Sequence, residues 1–339
     1  RDWSSDVCSS DLGSTGRQGN CMLGRHSPRL ATWLAAGLLL ATASAPRPSH
    51  GALTLTTAGS NAGFTLSTVA YGFDSLAGLG PLGIAFPTAN SMLVADFAGE
   101  VYAFSSIPSN APASSATVAQ NLGGNGPIGM TVANGQVYLA DRAHGTVDAI
   151  SVTGAFQSFV VSVSNPTGLA TNPVTGRVYV SSNTNGIYEI NPSTQTKTLI
   201  ISGAGFDGLS VSPDGKTIYA AQGTGIQVYS TGVNGAPSPA LQATYAIGDS
   251  TDGTALGTGS LAGNLFVNTN SGNLWEYNIG TSALTLIASA HPEIFTGRPV
   301  AALPGVRGEL RVNPLYTVRR DGNLSRCTLT DRKSTRLNS

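Results

Sequence analysis

The strongest constraint on the fold of this chain is a unit of sequence that recurs five times. Each copy has a glycine in a short apolar run, then a turn, a second apolar run, another turn and a third run. Repeats of about 40–45 residues with three or four short strands are typical of β-propeller blades. The anchoring glycines are separated by 46, 39, 40 and 45 residues and are Gly83, Gly129, Gly168, Gly208 and Gly253.

The turns inside the repeats have the chemistry of tight hairpins. Asn134–Gly135, Thr175–Gly176 and Asp214–Gly215 separate β-branched and aromatic runs. A single sheet of this kind leaves both faces unburied, so several copies must stack around an axis. The composition agrees, because 42 of the 339 residues are glycine and only 11% are charged, which disfavours a helical bundle. The pattern predicts an all-β chain folded as a six-bladed β-propeller of four-stranded antiparallel sheets.

The sixth blade is predicted in the segment 297–329, within a propeller domain that spans residues 53–329. Its first strand is expected at Val306–Val312, its second at Leu315–Val318, and a turn with the third strand at Asp321–Arg326. The alternative is a frame-shifted stretch that only imitates a blade. Phe64–Tyr71 reads as a strand without a blade of its own. We expect it to pair with the last blade and close the ring, which removes the open sheet edges.

Both ends of the chain differ in character from the repeats. Arg1–Leu12 and Asp331–Ser339 resemble translated sequencing-adapter reads. Residues 1–21 and 330–339 are therefore expected to lie outside the native domain.

Residues 22–52 have the pattern of an export signal followed by a short linker. Met22 precedes two arginines, Arg25 and Arg29, then the apolar run Leu30–Leu40 and the small residues Ala43–Ala45. The apolar run is short for a membrane span of about 20 residues. The pattern predicts a secreted, periplasmic or cell-surface protein that is not integral to the membrane. An uncleaved anchor and a buried helix are the alternatives.

Charge is distributed unevenly along the chain. Between Leu53 and Ala290 there are eleven acidic and four basic residues, a net charge of −7, and the other 14 of the 18 basic residues lie towards the ends. This argues against a nucleic-acid partner, since phosphate neutralisation needs a basic surface. The same stretch has no cysteine, so it can form neither a disulfide framework nor a cysteine metal site.

Two phrases of the repeats resemble known propeller families. The pattern P-x-G-(I/L/M) followed by V-(Y/L)-x-A-D, seen in Pro127–Met130 and Val137–Asp141, resembles NHL-type repeats. Gly208–Tyr219, GLSVSPDGKTIY, resembles the corresponding phrase of gluconolactonase-type six-bladed propellers. The resemblance covers roughly residues 64–329. It implies the fold rather than an activity, because the shared residues are mostly those that build blades.

The residue before each anchoring glycine is the candidate ligand position, because the start of the innermost strand faces the mouth of the central channel in a propeller. Asp207 and Asp252 lie on adjacent repeats and are candidate ligands for Ca²⁺, which favours clustered oxygen atoms. The alternative is that they cap local turns or pair with Arg307. The predicted polar side of the mouth consists of Thr167, Asp207, Asp252 and Arg307, and the apolar side of Leu82 and Ile128.

The gluconolactonase resemblance implies one metal held by Glu, Asn and Asp, which polarises an ester carbonyl and activates water. Aligned by the repeat phrase, these three positions fall on Leu79, Asp207 and Gln222. We therefore expect a monomeric, non-catalytic module that binds a small molecule, glycan or protein, with Ca²⁺ as the only candidate cofactor. A metal-dependent lactonase-type hydrolase is the main alternative, and a structural protein of a surface matrix is another.

Three further polar residues end or follow predicted strands. Asp96 and Asp141 are expected to accept backbone N–H groups of the next turn. His144 has the chemistry of a general base, but no serine or cysteine nucleophile motif accompanies it.

Overall fold

The computed structural model describes residues 53–76, 79–124, 126–231, 239–289, 299–300, 315–318 and 323–329. They form six sheets, the blades of a β-propeller, which confirms the predicted fold class. We number the blades by their order along the chain.

The strands of blades 1 to 5 run from the channel outwards in chain order. Blade 1 contains Pro81–Ala85, Met92–Asp96, Glu100–Phe104 and Thr117–Asn121. Blade 2 contains Pro127–Ala133, Gln136–Asp141, Thr146–Ile150 and Phe156–Ser162. Blade 3 contains Pro166–Thr171, Val178–Ser182, Gly186–Asn191 and Thr196–Ser202. Blade 4 contains Phe206–Val211, Thr217–Gln222, Gly225–Ser230 and Leu241–Ala246. Blade 5 contains Thr251–Leu256, Asn264–Thr269, Asn273–Asn278 and Leu284–Ser289, with Thr54–Leu55 added at its outer edge.

Blade 6 joins the two ends of the propeller domain. Phe64–Tyr71 pairs antiparallel with Asn323–Leu329, which confirms the predicted ring closure by the N-terminal strand. Leu315–Val318 pairs with Asn323–Leu329 as expected. The strand that pairs with Leu315–Val318 on its other side is the two-residue Pro299–Val300. Val306–Val312, for which we predicted the first strand, lies outside the described residues.

Short helices occur only beside the sheets in the described part of the chain. The helix Thr57–Asn61 begins after Thr56, whose Oγ1 accepts a hydrogen bond from the backbone N–H of Gly59 at 3.0 Å. The backbone N–H of Thr56 donates to the carbonyl of Ile287 at 3.0 Å, so the helix is fixed to blade 5. Two single 3₁₀ turns are Ala113–Ser115 and Gly259–Leu261.

A separate apolar cluster fills each of the six junctions between neighbouring blades. The second strand of blade 2 illustrates the arrangement. Its Val137 and Leu139 pack towards blade 1, whereas Tyr138 and Ala140 pack towards blade 3. Both faces of the sheet are therefore buried, and these strands read as continuous apolar runs rather than alternating ones.

Aromatic side chains on the blades pack both between and within sheets. Tyr277 stacks on Tyr245 with ring centroids 4.4 Å apart, and Tyr229 meets Phe206 edge-on at 6.3 Å. These contacts join blade 5 to blade 4 and link two strands of blade 4.

Two of the anchoring glycines, Gly168 and Gly208, have a clear steric cause. A Cβ at Gly168 would lie 2.5 Å from the carbonyl oxygen of Asp207, and one at Gly208 would lie 2.5 Å from the Cα of Gly253. Real Cβ atoms do not approach backbone this closely, so the innermost strands of blades 3, 4 and 5 leave no room for a side chain there. The repeat that defines the sequence thus marks the narrow hub of the ring.

We predict that Gly208→Ala destabilises the propeller by about 1–3 kcal/mol, because the new methyl group overpacks the hub. Urea unfolding of the variant measures this as a lower midpoint. Gly280→Ala is the matched control, since a Cβ there meets only Oδ1 of Asn278 at 3.6 Å. Equal stability of the two variants would contradict the steric explanation.

Candidate functional site

The three described residues of the predicted polar mouth lie side by side at the hub. A Cβ built on Gly168 would be 2.5 Å from the carbonyl oxygen of Asp207, and one on Gly208 would be 2.7 Å from that of Asp252. The backbones of Thr167, Asp207 and Asp252 are therefore neighbours on successive innermost strands. Arg307, the fourth predicted residue, lies outside the described residues.

Thr167 forms a hydrogen bond between blades 3 and 4. Its side chain is buried at 2% exposure, and Oγ1 donates to the carbonyl of Phe206 in blade 4 at 3.1 Å. The same hydroxyl lies 3.0 Å from Oγ of Ser181. Thr167 therefore joins blade 3 to blade 4.

Ser181 is a hub residue that sequence reasoning missed. Its Oγ accepts a hydrogen bond from the N–H of Gly168 at 2.7 Å and donates to the carbonyl of Asp207. It stands opposite the anchoring glycine, at the position that Ala95 and Ala140 occupy in blades 1 and 2. The exchange of this alanine for serine is the sequence signal that marks a polar contact at the hub.

Asn268 has the equivalent role in blade 5. Its Oδ1 accepts the N–H of Gly253 at 2.9 Å, and its Nδ2 donates to Oδ2 of Asp252 at 3.5 Å. Asp252 is only 4% exposed. The polar side of the hub is thus a network that satisfies the backbone of the innermost strands.

The opposite side of the hub is apolar, as the sequence predicts. Leu82 and Ile128 are buried together with Phe97, and Leu79 packs against them. Phe97 directly follows Asp96 at the end of a second strand, so it joins the cluster from the turn. At the hub, blades 1 and 2 therefore contact each other through apolar side chains, whereas blades 3 to 5 are joined by hydrogen bonds.

Asp207 differs from its two neighbours in being half-buried, which leaves part of its side chain accessible. Across the described residues, no three His, Cys, Asp or Glu side chains lie close enough together to hold a metal ion. A Ca²⁺ site at Asp207 and Asp252 would need further oxygen ligands from backbone, amide or water, a donor set that Ca²⁺ accepts. The proposed metal ligands therefore remain a prediction.

The predicted turn-capping roles of Asp96 and Asp141 are confirmed. Oδ1 of Asp96 accepts the N–H groups of Gly99 at 3.0 Å and Glu100 at 2.9 Å. Oδ1 of Asp141 accepts the N–H of His144 at 3.1 Å. The same strand-ending position therefore fixes the following turn in blades 1 and 2.

The second carboxylate oxygen distinguishes these two residues. Oδ2 of Asp141 lies 2.7 Å from Nδ1 of His144, whose side chain is 61% exposed. This hydrogen bond and the charge of Asp141 raise the pKa of His144. The buried carboxylate therefore fixes one nitrogen of an exposed imidazole.

Oδ2 of Asp96 has no hydrogen-bond partner, although the residue is 0% exposed. Burial raises the pKa of Asp96 to about 6, and the N–H of Glu100 and the hydroxyl of Tyr102 only partly oppose that effect. Oη of Tyr102 donates to Oε2 of Glu100 at 2.5 Å. A second carboxylate thus lies close by, and its charge also raises the pKa of Asp96.

Asp249, which precedes blade 5, was not singled out from the sequence. Its Oδ2 accepts hydrogen bonds from Thr269 at 2.7 Å and Asn273 at 2.9 Å, and also from Ser271. Burial raises the pKa of Asp249, but these hydrogen bonds outweigh it and the net pKa is lowered. Asp249 is therefore an ionised anchor that ties the loop before blade 5 to one of its turns.

The chain matches no protein-family model and no curated protein. Among solved structures, a gluconolactonase from Xanthomonas campestris is similar with a TM-score of 0.59 and 14% identity, over 84% of this chain and 99% of that one. A chain of the nidogen/laminin complex gives a TM-score of 0.54 at 13% identity, over 69% and 97%. The β-propeller domain of a Myceliophteria thermophila protein gives 0.51 at 12% identity, over 74% and 84%.

These likenesses define the class of the molecule. It is a six-bladed β-propeller whose structural neighbours are gluconolactonase-like and NHL/YWTD-type propellers. The neighbours include enzymes and also propellers of non-enzymatic interaction domains. At this level of identity the similarity establishes the fold alone. No helix in the described segments is long and apolar enough to cross a membrane.

We predict that Asp96→Asn stabilises the protein at pH 7 and above by about 3 kcal/mol, because the pKa of Asp96 is raised from 3.8 to about 6. Below pH 4 Asp96 is protonated in both the folded and the unfolded protein, so its burial carries no charge penalty. As the pH rises through 6 the buried carboxyl loses its proton, and the free energy of unfolding decreases. Denaturant unfolding from pH 4 to 8 should show the two proteins converging at the acid end. Asp141→Asn is the control, since both its carboxylate oxygens have partners. If Asp96→Asn is no more stable than the parent at pH 8, the buried negative charge of Asp96 does not destabilise the fold.

Proposed function

We propose that this chain is an exported β-propeller that acts as a non-catalytic binding or interaction module, with its ligand site at the channel mouth. The observation that carries the proposal is the set of side chains at the positions that hold the metal in lactonase-type propellers. Those positions carry Leu79, Asp207 and Gln222. Only one of the three has a carboxylate.

The two other positions have structural roles of their own. Leu79 packs against the apolar cluster of the hub. Nε2 of Gln222 donates to the carbonyl of Ala204 at 2.8 Å, which fixes the loop before blade 4. A Lewis acid held at one carboxylate alone would lack the coordination that polarises an ester carbonyl.

Asp207 is the residue on which we place ligand recognition. It is the most accessible of the three hub residues, and its carboxylate accepts hydrogen bonds from hydroxyl, amine or backbone N–H groups. Thr167 and Asp252 are buried beside it and support the position of its backbone. Small molecules, glycans and proteins all carry such donor groups.

The alternative is a metal-dependent hydrolase of the lactonase type. The gluconolactonase among the structural neighbours favours it, together with Asp207 at the position where the resemblance expects Asn. This reading requires a cation, Ca²⁺ being the candidate, bound at Asp207 and Asp252.

We expect no turnover of a panel of lactones in the presence of Ca²⁺ or Zn²⁺, because only one of the three aligned positions has a carboxylate. Colorimetric ester-opening assays on the parent, on Asp207→Ala and on Asp214→Ala provide the test. Asp214 is an exposed control in a hairpin turn of blade 4. Turnover that disappears only in Asp207→Ala would overturn the non-catalytic assignment.

A chelator that lowers the thermal midpoint of the parent but not of Asp207→Ala would establish the metal site.

Export is expected to depend on the apolar run Leu30–Leu40. A bacterial cell that expresses the chain from Met22 should release it from the cytoplasm, and Leu39→Arg should retain it there, because a charge interrupts the apolar core of the signal. Fractionation followed by immunoblotting measures the distribution. Lys197→Arg is a control outside this segment. Cytoplasmic retention of the parent would contradict the proposed location without affecting the propeller assignment.

A further inference from the structure

Three polar side chains of blade 1 form a group that is distinct from the predicted ligand residues. Asp96 ends the second strand of the blade, and Glu100 and Tyr102 lie on its third strand. Tyr102 is buried in the apolar cluster between blades 6 and 1, where its ring meets Phe73 edge-on at 5.1 Å. We call Asp96, Tyr102 and Glu100 the acidic triad.

The acidic triad lacks one proton when both of its carboxyl groups are ionised. The hydroxyl of Tyr102 has a single proton, which it donates to Oε2 of Glu100 at 2.5 Å. The same hydroxyl faces Asp96, whose Oδ2 is buried and has no hydrogen-bond partner. A hydroxyl with one proton cannot donate to two carboxylates at once. A protonated Asp96 can instead donate from Oδ2 to Oη of Tyr102, and every group of the triad then has a partner.

No positive charge in the same part of the chain compensates these carboxylates, because residues 53–141 include no Lys, Arg or His. The face of blade 1 that carries Tyr102 packs against blade 6 and against the segment Phe73–Leu76, which follows the ring-closing strand. Among the described residues, the charged groups on those two elements are Arg326 and Asp74. Glu100 is the charged group that acts on Asp96, and its charge favours the protonated form.

The segment Phe73–Leu76 contacts the acidic triad through Tyr102. Besides the ring contact with Phe73, the backbone N–H of Asp74 faces Oη of Tyr102 and partly offsets the rise in its pKa that burial causes. The three residues after Phe73 are exposed, so little buried surface holds them in place. Leu76 exchanges two backbone hydrogen bonds of 2.9 Å with Leu79, which packs in the apolar cluster of the hub.

We propose that the acidic triad is a pH-sensitive switch, in which one proton shared by Asp96, Tyr102 and Glu100 keeps the segment Phe73–Leu76 closed on blade 1. Loss of the proton leaves two negative charges with one hydroxyl between them. Opening of the segment relieves this arrangement, because water then reaches Oδ2 of Asp96. The switch is closed in acid and opens more readily near neutral pH. It does not depend on the ligand proposed for the channel mouth.

Hydrogen exchange of the full chain from pH 4 to 8, measured by mass spectrometry and corrected for intrinsic exchange rates, tests the proposal on the peptide that contains Leu76. Burial and the charge of Glu100 raise the pKa of Asp96 from 3.8 to about 6, so the closed form holds the proton more tightly than the open form. Protection is therefore greatest below pH 4 and decreases until the pH passes 6. The opening constant should rise by up to about 100-fold over this range and stay constant above it.

Two variants of the acidic triad should change this profile in different ways. Asp96→Asn should remove the pH dependence, because its amide donates to Oη of Tyr102 at every pH. Glu100→Gln keeps an acceptor for the hydroxyl but removes the negative charge, so the midpoint should move to lower pH. Glu189→Gln is the matched control and should behave as the parent. Glu189 accepts a hydrogen bond from the hydroxyl of Tyr179 at 3.2 Å in blade 3, where the second strand ends in serine rather than aspartate.

Three outcomes would overturn the proposal. The first is exchange at Leu76 that is independent of pH in the parent, or equally dependent on pH in Asp96→Asn. The second is an unchanged midpoint in Glu100→Gln. The third is a rise of the same size in the blade 4 strand Thr217–Gln222, which would indicate unfolding of the whole domain rather than opening of the segment. Circular dichroism of each variant confirms that it folds.

Discussion

The burial of both faces of every blade against its neighbours is the constraint on which the rest of this structure depends. Six apolar clusters occupy the six junctions, and each draws residues from two blades. No blade can bury its core alone, so the ring must close before any junction is fully protected. Phe64–Tyr71 provides that closure, because it pairs with Asn323–Leu329 and so joins the start of the domain to its end. Phe64 itself packs in the cluster between blades 5 and 6.

The fold could be predicted from the sequence because a glycine recurs at one position of the innermost strand in five successive blades. At two of these positions, Gly168 and Gly208, the glycine leaves room for the next innermost strand. The first strand of blade 6 could not be placed in the same way. It is the two-residue Pro299–Val300, too short to show a hydrophobic period, and no glycine phrase of the repeat marks it.

The exposure of the candidate site residues could not be inferred from the sequence, and the reason is local backbone geometry. The residue before each anchoring glycine lies where the pairing of the first two strands shifts register, for example between Phe206 and Leu209. At such a bulge the side chains no longer follow the two-residue alternation of a strand, so their exposure cannot be inferred from spacing. Thr167 and Asp252 consequently prove to be buried, whereas Asp207 remains accessible in part. Ser181 was missed because its hydroxyl acts on the backbone of a neighbouring blade, and only the comparison with Ala95 and Ala140 in the aligned repeats marks its position.

The last residue of the second strand has the same structural role in every one of blades 1 to 5, but its chemical environment differs between blades. Ser182, Gln222 and Thr269 occupy the place of Asp96 and Asp141, and each holds the adjacent loop or turn through a hydrogen bond. The structural requirement at this position is therefore one polar atom, which serine, threonine or an amide can supply. A carboxylate brings a second oxygen that the turn does not need. In blade 2 that oxygen orients His144, and in blade 1 it is buried without a partner, which raises the pKa of Asp96. One backbone role thus yields an exposed imidazole hydrogen-bonded to a carboxylate in blade 2 and a buried carboxyl group with a raised pKa in blade 1. The difference arises because the residue three positions after the aspartate is His144 in one turn and Gly99 in the other.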